Sequence, residues 1–527
     1  MQPTTKFRKS SPIPLLFILA PFLVVLVSYV LYHATTLPSI QLPEIIPAVP
    51  LHSVTSYVNY SLAELRLSEA VRIPTISKRF DEFTSDDLEH LKRFRGFLER
   101  EFPTVRNALN WEIVGGHSLL LSWKGSEGVD TNLPILFCAH QDVVGVDNPG
   151  DWDFPPFSGA IKGGFIHGRG TLDVKGMLIS QLVAVEALLK AGYRPKRSFY
   201  LAFGHDEETI ASEGSKALRN LFIERRLRFK FILDEGLPIS NRMFPGIEAP
   251  LALIGVAEKG MMQLHIRARS SGGHGSMPFS DNAVHMLSKA VSRVADIKPK
   301  ATLADGPIGD LLQSLAPEHP WLLARAVLGS SFLAEHLVRI LPAKVSPGLA
   351  AMTRTTLATT QIRGGLGGNV LPNDATASVN CRIRPGETAE EVLHYVAKAI
   401  GALIVDADQR GSNDTAFSPL TIWYNCDGPR GCDPSPVSSS NTEAYRVLAG
   451  SIRHVYDNAL VAPSLLMGAT DAATYKVVSD NIYRFQPIRL WPQDVARIHG
   501  LNERIATKDL HDMIGFFITV ILNADNM

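Results

Sequence analysis

The chain has 527 residues, 45% hydrophobic and 20% charged, with 52 basic against 52 acidic side chains and a formal net charge of zero. That balance argues against a protein held to nucleic acid by phosphate contacts, so no nucleic-acid partner is expected. The length leaves room for two or more domains, and four cysteines are too few for a disulfide scaffold.

The N-terminus departs from this balance. Lys6, Arg8 and Lys9 precede an almost unbroken apolar run from Ile13 to Tyr32, about the 20 residues that a bilayer core requires. The basic flank predicts a cytosolic tail over 1–12 and an uncleaved transmembrane signal anchor over 13–32. Residues 33–50, rich in Pro, Thr and Ser, read as a linker lifting the rest off the membrane. The body is then expected in a vacuole-like lumen or outside the cell. Asn59-Tyr60-Ser61 and Asn413-Asp414-Thr415 have the form of N-glycosylation acceptors, which agrees with that placement.

From Ser61 onward helical and strand patterns alternate. Ser85-Asp86-Asp87 opens a helix through Arg100, with acid in its first turn. Residues 133–139 form an apolar run of buried-strand type, and His140 stands where it ends. His140 and Asp142 face the same way on extended backbone, so Asp142 can fix the imidazole tautomer while the other ring nitrogen binds a metal. Gly168, Gly170 and Gly176 let the chain turn tightly around Asp173, with Arg169 and Lys175 placed to offset crowded acidic ligands. A helix follows over 177–191. A strand over 198–203 ends before Gly204-His205-Asp206-Glu207-Glu208, and another over 229–233 ends before Asp234-Glu235-Gly236. This is an α/β pattern with acidic residues collected at strand ends.

Near Val256 the texture changes. A strand over 263–268 precedes Gly272-Gly273-His274-Gly275-Ser276, a helix over 282–295, and a Leu-, Ala- and Pro-rich stretch over 299–360. Strands return at 376–383, followed by a helix to Ile400. Strand–helix–strand–strand–helix–strand order predicts an inserted α+β, ferredoxin-like lid. The apolar part, 321–351, is core or the lining of an acyl tunnel. The first domain resumes near Ser418 and ends in a docked helix over 508–523. The expected division is 51–255 catalytic, 256–415 lid and 416–527 catalytic again. Cys138 and Cys381 read as buried thiols. Cys426 and Cys432 flank a turn-rich loop and could pair in an oxidising lumen; no Cys-x-x-Cys pair marks a thiolate zinc site.

Asp, Glu and His at these strand ends have the donor types for two divalent ions, zinc first, with manganese or cobalt as substitutes. One bridging carboxylate and one carboxylate left free as a base complete such a centre. Glu207 and Glu208 are adjacent, so one can bind metal while the other faces the attacking water.

The order of motifs resembles the co-catalytic zinc peptidases that include aminoacylase and glutamate carboxypeptidase, nearest to vacuolar carboxypeptidase S and the N-fatty-acyl amino acid synthase/hydrolases. The motifs are Ala139-His140-Gln141-Asp142, Gly168 through Lys175, Gly204 through Glu208, Leu233 through Gly236, Gly273 through Ser276, Gly368 through Pro372, Val379 through Arg382 and Ile498 through Glu503. The resemblance implies that His140 and Asp234 bind one zinc, Glu208 and His499 the other, and Asp173 bridges them. It implies that Asp142 orients His140 and that Glu207 is the general base. His274 and Asn369 come from the lid to polarise the scissile carbonyl, in some relatives across a homodimer. Arg382 is a lid residue near the substrate carboxylate or a structural ion partner. One departure is plain: Thr470 and Asp471 are kept, but Ala473 stands where a basic residue is expected.

The implied activity is hydrolysis of short peptides beside a C-terminal amino acid, by metal-activated water. The alternative is cleavage or synthesis of N-acyl amino acids. A non-enzymatic membrane receptor on the same fold is the weakest reading, because every ligand position and the base are retained.

Overall fold

The computed structural model describes residues 15–78, 82–128, 132–209, 213–278, 281–341, 346–405, 418–426 and 430–527. An eight-stranded sheet organises the chain. Its order is Asn110–Val114, Ser118–Trp123, Phe199–Gly204, Ile135–His140, Phe231–Ser240, Ile482–Leu490, Leu251–Glu258, Leu460–Leu466. The central pairs, from Phe199–Gly204 through Ile482–Leu490, run parallel. Both faces of these strands are covered, which is why they read as unbroken apolar runs. Ile135, Phe137 and Ala139 meet the helices Lys175–Lys190 and Thr507–Ala524 on one face, while Leu136 and Cys138 meet Leu218, Phe222 and Tyr475 on the other.

The helix Thr507–Ala524 is a docked core helix, as its sequence predicts. Phe516 and Phe517 are fully buried, and Phe517 meets Phe137 edge-on at 5.8 Å. Asp525 behind it accepts from Tyr193 Oη at 2.6 Å and from the Arg197 N–H at 2.7 Å.

The lid is a five-stranded sheet of Thr356–Gly364, Asp374–Ile383, Gly260–Arg269, Leu420–Asn425 and Leu403–Ile404. Strict alternation of buried and half-buried residues in Gly260–Arg269 and Asp374–Ile383 leaves one face for the helices Ala283–Asp296 and Ala389–Ile400. A Thr388–Glu391 capping box starts the second helix and Gly401, at φ 72°, ends it. The sheet extends past the expected boundary at 415, because Leu420–Asn425 pairs with Gly260–Arg269.

Two segments lie elsewhere than their composition suggests. Ile308, Leu311 and Leu315 pack on Leu251, Leu253, Ala462 and Leu465 at the edge of the large sheet, not on the lid sheet. Residues 37–50 have no helix or strand, yet they are bound to the body. Gln41 Oε1 accepts from the Val461 N–H at 2.7 Å, and the Ile45 N–H donates to the Gly450 carbonyl at 3.1 Å. The stretch read as a free spacer is therefore docked.

The predicted anchor at 13–32 falls partly outside the described residues. The segment is helical over Leu15–Thr36, and among the described residues no helix is long and apolar enough to cross a membrane. Asn413 also lies outside them. Asn59 is exposed and caps the helix Tyr60–Val71 by accepting from the Leu62 N–H.

Candidate metal centre

His140 ends a central strand, Glu207 and Glu208 follow the neighbouring strand, and Glu235 sits in the next one. These are the carboxyl ends of parallel strands, where open α/β sheets collect their ligand groups. Asp173 comes from the glycine-rich loop before the helix Lys175–Lys190. His499 follows a short 3-10 turn at Val495–Arg497 and holds φ 58°, an uncommon backbone for a residue other than glycine.

Asp173 lies between the two imidazoles. Its Oδ1 is 3.0 Å from His140 Nε2 and its Oδ2 is 2.9 Å from His499 Nε2. Glu235 Oε1 is 3.2 Å from His140 Nε2, and Glu208 Oε2 is 3.1 Å from His499 Nε2. Two sets of ligand atoms result, His140–Asp173–Glu235 and Asp173–Glu208–His499, each within 4.8 Å and sharing Asp173.

The charge balance is lopsided. Burial opposes a proton on His140, but Glu235, Asp142 and Asp173 push its pKa well above the usual imidazole range. Hydrogen bonds to Asp173 and Glu208 lift His499 to about 10. Burial pushes Glu235 up to about 8 with His140 opposing, and burial and the neighbouring Asp173 raise Glu208. Three carboxylates press on two imidazoles, a conflict that divalent ions relieve by displacing the protons. Glu208 Oε1 is buried with no hydrogen-bond partner among the described residues, as a group aimed at an ion would be. The donor set fits a pair of divalent cations.

One expected ligand is corrected. Asp234 does not face His140. Its Oδ2 accepts from the Ala472 N–H and its Oδ1 from the Glu235 N–H, each at 2.9 Å. Adjacent strand residues point to opposite faces, so only one of this pair meets His140, and it is Glu235. Counting from Ile232, which belongs to the far-face cluster, puts Asp234 on that same face.

Asp142 lies beside His140 and also reaches Glu208. His140 Nδ1 is 3.0 Å from the Asp142 carbonyl and 3.4 Å from its Oδ1, while Oδ2 accepts from the Glu208 N–H at 3.0 Å. It therefore ties one ligand from each set together. Arg169 and Lys175 do not offset the ligand charges directly. Arg169 Nη1 pairs with Glu503 Oε2 at 2.6 Å, and its Nη2 donates to the His499 carbonyl at 3.0 Å. Glu503 Oε1 accepts from the N–H groups of Gly170, Leu172 and Asp173. Lys175 is buried and donates to the carbonyls of Ala70 and Ile73 at 3.1 and 2.7 Å. Sequence reasoning gave Glu503 no role, since only its distant partners reveal one.

Glu207 stands beside the ligands without joining either set. Burial pushes its carboxyl well above the usual range, with Arg430 opposing and Glu235 adding to the rise. Arg430 Nη2 donates to Glu207 Oε1 at 2.7 Å and to Asp471 Oδ1 at 3.3 Å. Arg430 lies within a loop closed by a disulfide between Cys426 and Cys432, while Cys138 and Cys381 are buried free thiols. Ala473 is a buried alanine, and it lines a small cavity together with Arg430 and Lys259.

The lid residues His274 and Asn369 are brought together. His274 pairs with Val370 across a two-residue ladder, the Gly275 N–H donates to the Asn369 carbonyl at 2.7 Å, and both His274 and Asn369 are exposed. Arg382 lies on the strand Asp374–Ile383, with Nε donating to Asn380 at 3.3 Å.

Strand-end carboxylates and imidazoles in two sets joined by one aspartate define a metal-dependent hydrolase. Residues 136–523 match Peptidase family M20/M25/M40, and the chain belongs to that family. It is 35% identical over 462 residues to an N-fatty-acyl-amino acid synthase/hydrolase of Xenopus tropicalis, covering 87% of this chain and 85% of that one. It is 34% identical to a probable carboxypeptidase S-like protein of Dictyostelium discoideum, with 92% and 88% covered. Among solved structures, the M20 family metallo-carboxypeptidase Sso-CP2 of Sulfolobus solfataricus superposes with a TM-score of 0.63 at 20% identity, covering 88% of this chain and 99% of that one. The chain is thus a peptide or amide hydrolase of this family.

Proposed function

We propose a two-zinc hydrolase that cleaves the amide bond of short peptides beside a C-terminal amino acid. The observation that carries the reading is Asp173, shared between His140 and His499 with Glu207 buried alongside. His140, Asp173 and Glu235 would hold one ion, and Asp173, Glu208 and His499 the other. When bound, the ions supply Lewis acidity toward the scissile carbonyl and the attacking water. Glu207 accepts the proton of that water and returns it to the leaving amine. Asp142 keeps the His140 ring in the tautomer that leaves Nε2 free for coordination. His274 and Asn369 reach the carbonyl oxygen when the lid closes, or from the lid of a second copy in a homodimer. Glu207→Gln should keep bound metal and lose most turnover; near-full activity would sink the assignment.

A second substrate class has its own support. The first relative named above is a synthase/hydrolase of N-fatty-acyl amino acids, and the segment near Trp321 borders an open apolar pocket of about 420 Å³ lined by Leu312, Leu315, Leu323, Val327 and Leu328. Amino-acid release from a dipeptide and from an N-oleoyl amino acid, run side by side with a chelated control, decides between the two. The basic flank at Lys6 to Lys9 before the apolar run supports a membrane anchor and a lumenal or extracellular body; carbonate extraction of membranes tests it.

A further inference from the structure

Glu207 is held from outside the catalytic sheet. The group that holds it, Arg430, belongs to the loop that leaves the last lid strand, Leu420–Asn425, and is closed by Cys426–Cys432. Among the described residues its Nη2 makes the contacts, to Glu207 Oε1 at 2.7 Å, the Glu207 carbonyl at 3.4 Å and Asp471 Oδ1 at 3.3 Å. The three side chains are 12%, 10% and 7% exposed. Two carboxylates packed this closely away from water repel each other unless a cation sits between them. Without Arg430 the Glu207 side chain would turn away from Asp471 toward whatever else could solvate it.

The disulfide loop is tied down on its far side. Asp433 Oδ1 accepts from the Ala389 N–H at 2.8 Å, at the start of a lid helix. A methyl at Gly260 would lie 2.3 Å from the Cys432 carbonyl, so the backbone at Cys432 packs directly on the first residue of a lid strand. A short ring closed by a disulfide has few conformations to lose when it presents one side chain.

We propose that Arg430 is the positioning residue of Glu207, and that the Cys426–Cys432 ring presents it, so that the base is aimed by the junction between lid and catalytic sheet. The proposal rests on the reading of Glu207 as general base. Arg430 touches no ligand of either metal set among the described contacts, so its effect belongs to the orientation of the base. A misaimed base costs turnover rather than affinity.

The test uses the full chain, zinc-loaded, on the dipeptide substrate. Arg430→Met should lower kcat by about 10- to 100-fold, with KM within about threefold and bound metal unchanged. Arg430→Lys, which keeps a single donor charge, should recover part of the loss. Cys426→Ser with Cys432→Ser should lower kcat in the same direction, and adding Arg430→Met to that pair should cost less than it does in the intact ring. Arg430→Met with unchanged kcat overturns the positioning role, as does a KM rise at constant kcat. A serine pair with full kcat overturns the part given to the ring. Should Arg430→Met not fold, the Lys variant and the serine pair still decide. Glu207→Gln is run in parallel: if it is inactive while Arg430→Met is unaffected, only this inference fails, whereas an active Glu207→Gln removes the base itself.

Discussion

Glu503 and Arg169 meet at 2.6 Å, and that pair joins the loop carrying Asp173 to the loop carrying His499. Glu503 is fully buried and Arg169 is 3% exposed. Removing one partner strands the other as an uncompensated buried charge, at about 3–5 kcal/mol. Glu503→Ala should lose stability on that scale in urea titrations and bind zinc more weakly. Glu503→Gln, which still offers a carbonyl to the N–H groups of Gly170 and Leu172, should fall between the two.

Metal analysis separates Glu235 from Asp234. Glu235→Gln should weaken binding at one ion while leaving the Asp173–Glu208–His499 set loaded. Asp234→Asn keeps an oxygen for the Ala472 N–H and should retain both ions. Loss of metal from Asp234→Asn alone would reverse the assignment. Chelation of the wild type should lower its melting temperature, since ligand at 100 times its Kd stabilises by about 2.7 kcal/mol.

Gly168 sits at φ 144°, and a methyl there would lie 2.4 Å from Val71 Cγ1 and 2.7 Å from the Pro156 carbonyl. Strain and overlap act together, so Gly168→Ala should cost about 1–3 kcal/mol. The displaced loop carries Asp173, so metal affinity should fall with stability, as isothermal titration would record.

His205 sets an acid limit. It is 2% exposed, with Nδ1 2.7 Å from Ser118 Oγ. Burial lowers its pKa to about 4, with Asp142 opposing and His117 reinforcing. The unfolded chain therefore takes up this proton before the folded one does. Stability from this group is complete above about pH 6.5 and is lost as pH falls from there through about 4, on the order of 3 kcal/mol. Urea midpoints between pH 7 and pH 5 should fall less steeply for His205→Asn than for the wild type.

Local signals carried much of the architecture. The apolar run ending at His140, the glycines about Asp173 and the acidic pairs near the ends of two strands are all short-range patterns, and the structure gathers His140, Asp173, Glu208 and Glu235 at the carboxyl ends of the central strands. What escaped depends on partners far away in the chain. Arg430 and Glu207 are 223 residues apart, and Glu503 meets Gly170 across 333. The choice between Asp234 and Glu235 needed the phase of a strand, which a single apolar stretch does not fix. The helices after Ile308 declare one buried face, but an amphipathic pattern does not say which sheet will cover it.

The helix Thr507–Ala524 has a consequence for how the protein is made. It fills the centre of the main hydrophobic cluster, and two strands of the large sheet, together with His499, arrive only after residue 459. A nascent chain that has already delivered His140, Asp173, Glu208 and Glu235 still lacks a second imidazole and the plug that closes its core. The complete pair of ligand sets and the closed core therefore wait for the stretch from Leu460 to Ala524, so catalytic competence follows the making of that stretch rather than of the residues around Asp173.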